Sequence, residues 1–444
     1  MRYMVNSNPA TRRAWLREAV ACLCGEVSVM EWSGWATMRR WKMANIIPKN
    51  EEAATIQRSM LGANIVHTPE LLDRADSAAR GLGSIASVRE LAVDTEGASF
   101  HRFVDRVYLL QLSTRDRSLI LDPLTVSRDA LAPLGALLES RDVQVVFHDA
   151  DYDLRLLQRD YGWQSRNVFD TRVSAQLLGF KAFGLAALVE KYFGAKLDKK
   201  HQRADWSMRP LPDDMIAYAA QDTRYLLELR DLIQDELRAK GRLSWAREEF
   251  ERLESTRWAD EVPSDAFLRV KGARDVSRRE LAVLRELVPW RDTVARELDR
   301  ATFRVIGNEQ LLDISRTQPG DRKALSQVKG VSRSLLDRRA DEVLDAVRRG
   351  LAVPEADLPK FAKSARWDRD PKFEAKTGAL KSVRDAKALE LDLDPGVLCG
   401  RERLESVARK NPKSREELLE VPDFRRWQAE VLGEGFLKAL RSVA

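Results

Sequence analysis

The sequence predicts an α/β domain with a mixed sheet flanked by helices, followed by two small all-helical modules. Between residues 63 and 240, short β-rich runs give way to stretches of helical periodicity. Beyond about residue 275 only the helical period remains. There, one constant shift superposes Leu287 on Leu380, Arg291 on Arg384, Leu311 on Leu404, Pro319 on Pro412, Leu325 on Leu418 and Val328 on Val421. Internal self-similarity of that kind marks two copies of one helical unit.

Taken in order, residues 1–62 are an N-terminal extension to which no function is assigned. Thr11 to Arg17 loosely matches a twin-arginine export signal. The apolar segment that should follow is short and interrupted by Arg17, Glu18 and Glu26, so export is not expected. Cys22 and Cys24 lack the second pair a metal site needs, and Met43 or Met60 offers an alternative start. The α/β domain spans 63–240. Ile65-Val66 reads as a short strand, and 69–74 as the start of a helix with acidic early residues. Residues 91–93, 107–112 and 118–121 read as three strands with no helix between, an antiparallel meander. A helix over 130–139 precedes a fourth strand at 143–147, which implies a crossover. Helical stretches follow at 151–160, 171–178, 185–193 and 212–237, and a long charged helix over 234–255 leaves the domain. A linking helix (241–274), a first helical module (275–352), a proline-spaced linker (353–372) and a second module (373–444) complete the chain.

Composition narrows the functions. The 444 residues exceed one ordinary core, and no run of about 18 apolar residues offers a membrane span. Three cysteines exclude a disulfide framework and point to a reducing, cytoplasmic setting. A net charge of +6 fits a polyanionic partner without requiring one. The chain has no Gly-x-x-x-x-Gly-Lys-Ser/Thr loop, so it is not itself a helicase.

The chemistry concentrates in five residues. Asp94 and Glu96, in Leu91-Ala-Val-Asp-Thr-Glu-Gly97, share one face of a strand end because side chains alternate along a strand. Tyr218 and Asp222 share one face of a helix. Asp153 lies at the start of a helix beside Asp149 and Asp151, where acidic residues also serve simply to balance the helix dipole. Carboxylates with few His or Cys nearby suit hard cations such as Mg²⁺ or Mn²⁺, and two such ions serve in-line displacement at phosphorus.

Together, in this order, these motifs resemble the DEDD superfamily of 3′–5′ exonucleases, in its tyrosine branch, and within it the ribonuclease D family. Phe169-Asp-Thr171, Gln176-Leu-Leu-Gly179, Gly184-Leu-Ala-Ala-Leu188, Gln202-Arg-Ala-Asp-Trp206 and Arg209-Pro-Leu211 carry the closer likeness. The helical repeats are similar to HRDC modules, which ribonuclease D shares with RecQ-type helicases. The second copy is the looser match, with Pro422-Asp423 where the first has Lys329-Gly330. The resemblance covers residues 63–444. It implies a ribonuclease H-like α/β exonuclease domain followed by two HRDC-like domains. It also implies a metal-dependent exoribonuclease that trims tRNA precursors and other small structured RNAs to nucleoside 5′-monophosphates.

Roles then follow from chemistry. Asp94, Glu96, Asp153 and Asp222 are expected to hold two divalent ions, and Tyr218 to orient the attacking water. A phenol near pKa 10 is a poor base at neutral pH. His148 is the rival base, although a hydrogen-bonded structural role suits its position better. Trp206 either stacks a base or packs in the core, and Arg203 and Arg209 either touch phosphate or pair with nearby Asp. Arg316, Arg322, Lys323, Lys329 and Arg333 in the first repeat, with Arg401, Arg403, Arg409, Lys410 and Lys413 in the second, are candidates for gripping an RNA body. The alternative is a solvated face interleaved with acids. A fragment ending near Asp260 is expected to keep the whole carboxylate site. A 3′–5′ DNA exonuclease and a non-catalytic RNA-binding protein are the competing functions.

Overall fold

A computed structural model describes residues 67–259, 263–361 and 371–443. The expectations for Thr11 to Arg17, Cys22, Cys24, Met43, Met60, Ile65-Val66 and residues 362–370 lie outside these.

A mixed six-stranded sheet forms the centre of the first domain, in the order β1-β4-β3-β2-β5-β6. Its strands are β1 (Glu70–Leu72), β2 (Glu90–Glu96), β3 (Leu109–Ser113), β4 (Ser118–Leu121), β5 (Gln144–Phe147) and β6 (Val168–Asp170). The meander is β2-β3-β4, and β5 runs parallel to β2 after the helix Arg128–Glu139, as a crossover demands. The register sets Asp94 opposite Gln111 and Glu96 opposite Leu109.

Three local expectations change. Residues 70–72 are an edge strand rather than a helix, pairing parallel with 119–121, and the helix starts at Ala75. Proline is tolerated at the outset of an edge strand as well as of a helix, so Pro69 did not discriminate. The stretch 212–237 is two helices, Asp213–Arg224 and Leu226–Ala239, divided at Tyr225. The first lies across β2, β3 and β4, whereas the second packs on Thr171–Leu178 and on β2 and β5, so the chain must change course. The charged helix expected over 234–255 is likewise interrupted. Gly241, at φ +67°, and Arg242 return N–H bonds to Arg238 and Leu237, and Leu243–Leu253 follows as a separate helix. Among its described residues, the rest of 241–274 contributes 3₁₀ turns, and Phe267, Val270 and Ala273 in and between them join the core of the first helical module.

The internal repeat holds element by element. Arg278–Glu297, Thr302–Val305, Asn308–Thr317, Arg322–Ser326 and Arg333–Ala352 recur as Pro371–Glu390, Pro395–Leu398, Arg401–Lys410, Arg415–Leu419 and Arg426–Ser442. Gln318 and Asn411 end equivalent helices in the same left-handed conformation. Asp423 (φ +62°) keeps the left-handed backbone that Gly330 (φ +83°) adopts in the first copy.

The two copies are attached differently. The first has its own apolar core. The second shares one continuous core with the sheet domain, in which Phe169, Leu177, Tyr225 and Phe250 belong to the same cluster as Leu380, Leu404, Trp427 and Phe436. Trp427 stacks on Trp245 at 4.9 Å and donates its indole N–H to Glu249 at 2.9 Å. The Glu248 carboxylate accepts the N–H groups of Arg426 and Trp427 at 2.7 and 3.0 Å, so one domain caps a helix of another. Gly179 (φ +90°) lies so close to the Asp392 carbonyl that a Cβ there would stand 2.1 Å from the oxygen.

A fragment ending near Asp260 therefore strips half of a shared core and exposes Trp245 and Phe250. Loss of stability and aggregation are expected from it, not an independent catalytic unit. In the full chain, Trp427→Ala should cost about 3–5 kcal/mol. Urea unfolding followed at the sheet domain should register that loss, and an unchanged midpoint would show that the modules fold separately.

Candidate active site

The carboxylates reach their positions from three elements. Asp94 and Glu96 project from the same face of β2 near its end, and the helix Asp213–Arg224 crosses that face. A buried bond between Thr223 and Ser113 hydroxyls (2.7 Å) pins this helix to β3 beside Asp222. Single carboxylate oxygens of Asp94, Glu96 and Asp222 come within 4.8 Å of one another. Asp153 stands beside them, 5% exposed, its Oδ1 accepting the Thr95 N–H at 3.0 Å and the Thr95 hydroxyl at 2.6 Å. The other acids of that helix start face away, Asp149 to Arg172 and Asp151 to Arg155.

No Lys or Arg among the described residues pairs with any of the four. Burial, reinforced by the neighbouring charges, drives the Asp94 and Glu96 carboxyls well above their usual range. Burial also pushes Asp153 and Asp222 up to about 7. Such a set is incomplete by itself: like charges are gathered, desolvated and left without a counterion. Its donors are all hard oxygens, so a divalent cation of the Mg²⁺ class fits it.

Tyr218 is buried, with its ring edge-to-face against His201 (5.6 Å) and 6.1 Å from Trp206. Burial, then the charges of Asp222, Glu96 and Asp94, raise its phenol above the ordinary value, so it keeps its proton. His148 instead bonds Thr171 through Nδ1 at 2.9 Å, and burial followed by the Arg172 charge lowers it to about 4. Trp206 is 2% exposed and packs in the core, so it offers no face to a base. Arg209 is taken up by Asp122 and by the Trp206 and Tyr108 carbonyls. Arg203 has no acidic partner among the described residues, and its guanidinium lies over the Phe100 ring, 5.5 Å from its centroid. Of the repeat cations, Arg316, Arg322, Arg333, Arg401, Arg409 and Lys410 each lie within ion-pair distance of an Asp or Glu, as on a solvated face.

Two supporting residues escaped the sequence reading. Gln111 is fully buried and donates its amide to Glu96 at 3.2 Å; a lone Gln in the apolar strand 109–113 was the available signal. Asp170 is 1% exposed and accepts the N–H groups of Asp149, Ala150, Arg172 and Val173. It thereby fixes the turn that starts Asp153's helix; Phe169-Asp-Thr171 had marked the residue by its family likeness, but this long-range role has no local signal.

Comparison with known proteins agrees with this geometry. A 3′–5′ exonuclease family model matches residues 65–238, and an HRDC domain model matches residues 280–347 and 376–440. The ribonuclease D of Gluconacetobacter diazotrophicus is 32% identical over 78% of this chain and 86% of its own length. That of Granulibacter bethesdensis is 30% identical over 83% and 92%. Among solved structures, Escherichia coli RNase D superposes with a TM-score of 0.66 at 25% identity, over 85% of this chain and 99% of that one. The catalytic core of RRP6 from Trypanosoma brucei gives 0.57 at 28% identity, over 64% and 79%. With exonuclease and paired HRDC matches in this order, and relatives alike over most of both chains, the chain belongs to the ribonuclease D family and is a 3′–5′ exoribonuclease.

Proposed function

We propose that Asp94, Glu96, Asp153 and Asp222 hold two divalent cations, Mg²⁺ or Mn²⁺, and that with Tyr218 they release nucleoside 5′-monophosphates from RNA 3′ ends. The substrates proposed are tRNA precursors and other small structured RNAs, acted on in the cytoplasm. On the same footing, the catalytic domain is taken as 63–240 and the helical domains as 275–352 and 373–444. The observation that carries this reading is the convergence of three carboxylates within 4.8 Å with no basic partner.

Bound divalent cations supply Lewis acidity at the scissile phosphate and offset charge on the departing 3′ oxygen. The chain's own groups do the rest. Asp94, Glu96 and Asp222 provide the oxygen donors, and Gln111 orients Glu96. Thr95 holds the Asp153 carboxyl in place from the strand that bears the other two acids. Tyr218 remains protonated at working pH and so orients water by donating a hydrogen bond, without accepting its proton.

Incubation of 5′-labelled, 3′-extended tRNA with Mg²⁺ or Mn²⁺ should give stepwise shortening from the 3′ end, with none in EDTA. Matched single-stranded DNA should be cut more slowly; equal or faster DNA cleavage would overturn the RNA assignment. Asp94→Asn or Asp222→Asn should abolish hydrolysis while RNA binding survives. Tyr218→Phe should slow the reaction by roughly 10- to 1000-fold, and full activity would transfer the orienting role to another group.

The raised carboxyls also fix a pH dependence for the metal-free protein. Folded Asp153 and Asp222 near 7 retain protons that the unfolded chain, near 4, has released, so stability is lost as pH rises through about 7. Melting temperature in EDTA should fall between pH 5.5 and 8. Added Mn²⁺ should raise it more at pH 8, where the ligands are deprotonated. A flat profile, insensitive to metal at both pH values, would remove the carboxylate cluster as a cation site.

A further inference from the structure

The segment 97–107, which leaves the strand bearing Asp94 and Glu96, runs up against the first HRDC module. The His101 carbonyl accepts the Ala301 N–H at 3.2 Å, the Phe100 carbonyl accepts a bond from Arg304, and Arg102 meets Asp299 at 3.3 Å. Two aromatic rings meet at the surface of this joint. Phe100 and Phe303 are 48% and 52% exposed, and their rings meet edge to face with centroids 6.2 Å apart. The short helix that carries Phe303, Thr302–Val305, buries none of its residues, so packing does not account for an aromatic side chain there.

Unpaired positive charge gathers beside these rings. Arg203 lies over the Phe100 ring, 5.5 Å from its centroid, and among the described residues Arg304 bonds the Phe100 carbonyl and the His101 ring and no carboxylate. Arg300 is exposed, with no side-chain partner among the described residues, and lines a cleft with Arg304, Asp205 and Asp299. The nearby carboxylates of Asp205 and Asp299 are both taken by Arg102. Elsewhere on the HRDC modules the exposed arginines are largely offset by their own acids. Two rings are too small a patch for a stable protein interface. Half-exposed aromatic rings with guanidiniums that no carboxylate offsets are what a single-stranded nucleic acid uses, bases stacking on the rings and phosphates on the cations. Short stretches of chain join the patch to the catalytic groups: Ala98, two residues before Phe100, is buried in the same apolar cluster as Tyr218, and His201, two residues before Arg203, meets the Tyr218 ring edge to face.

We propose that Phe100 and Phe303 form a split stacking platform, one ring from each domain, for the single-stranded RNA that leads to the scissile nucleotide. Arg203, Arg300 and Arg304 contact its phosphates. The proposal rests on the carboxylate cluster being the site of 3′-end hydrolysis. In it the first HRDC module acts by completing the path of the strand, at the corner 298–306, rather than by gripping a distant RNA body.

The test uses the full chain and a short unstructured RNA oligonucleotide in EDTA, with binding read by fluorescence anisotropy. Phe303→Ala and Phe100→Ala should each weaken binding about tenfold, the loss expected for one stacked base. Phe303→Tyr should restore it and Phe303→Leu should not, which separates stacking from mere apolar contact. Arg300→Gln, at an exposed position with no fold to disturb, should flatten the salt dependence by about 0.7 in the log–log slope. In Mg²⁺, Phe303→Ala should raise KM more than it lowers kcat. Wild-type binding by both Phe303→Ala and Phe303→Leu would overturn the platform. Wild-type protein that binds RNA yet fails to hydrolyse it in metal would instead overturn the site reading, because the binding arm needs no turnover.

Discussion

The rest of the catalytic domain is organised around keeping like charges together. Three carboxylates sit within 4.8 Å of one another, and a fourth stands beside them, in surroundings dry enough to push their pKa values upward. No local element brings such a group together willingly. It is imposed from several sides: β2 supplies two members by alternation, and a helix pinned through Thr223 to Ser113 supplies the third. Asp170 gathers four backbone N–H groups to aim the helix that bears Asp153. The stability spent on holding the acids apart from any base becomes affinity for a cation when one arrives.

That imposed geometry needs a stiff frame, and the frame extends beyond the sheet. The second HRDC module completes the core under helices 171–178 and 226–239, and the Glu248 and Glu249 carboxylates grip its final helix. Arg242 reinforces the same seam by donating to the Leu177 and Leu391 carbonyls. These contacts are buried and apolar at their centre, so they resist salt and dilution in a way that surface ion pairs do not. The first module meets the loop 97–107 through polar contacts and the Phe100–Phe303 ring pair, and its core is closed on itself.

Legibility in the sequence followed the range of the interactions. Asp94 with Glu96, and Tyr218 with Asp222, were readable because strand and helix periods place each pair on one face. The helical repeat was readable because duplicated units carry their core positions at one spacing, and every helix of the first copy recurs in the second. The breaks at Tyr225 and Gly241 were not, because each depends on what the following helix packs against. Nor was the partner of Arg209, since Asp122 lies far away in the chain. The stretch 234–255 read as a charged helix, and nothing local showed that Trp245 and Phe250 would be covered by a module more than a hundred residues later. Gln111 was visible as an oddity, but its meaning required the register that faces it to Asp94.

The unequal attachment of the two repeats has a kinetic consequence. The first module is held by the chain at both ends, on one side by Leu243–Leu253, which packs against β6, and on the other by the second module. If its few contacts with loop 97–107 open, it cannot diffuse away. It returns from a tether closed on both sides, where effective concentrations reach the millimolar range. Contacts too weak to hold two free proteins together then suffice to keep this corner shut most of the time.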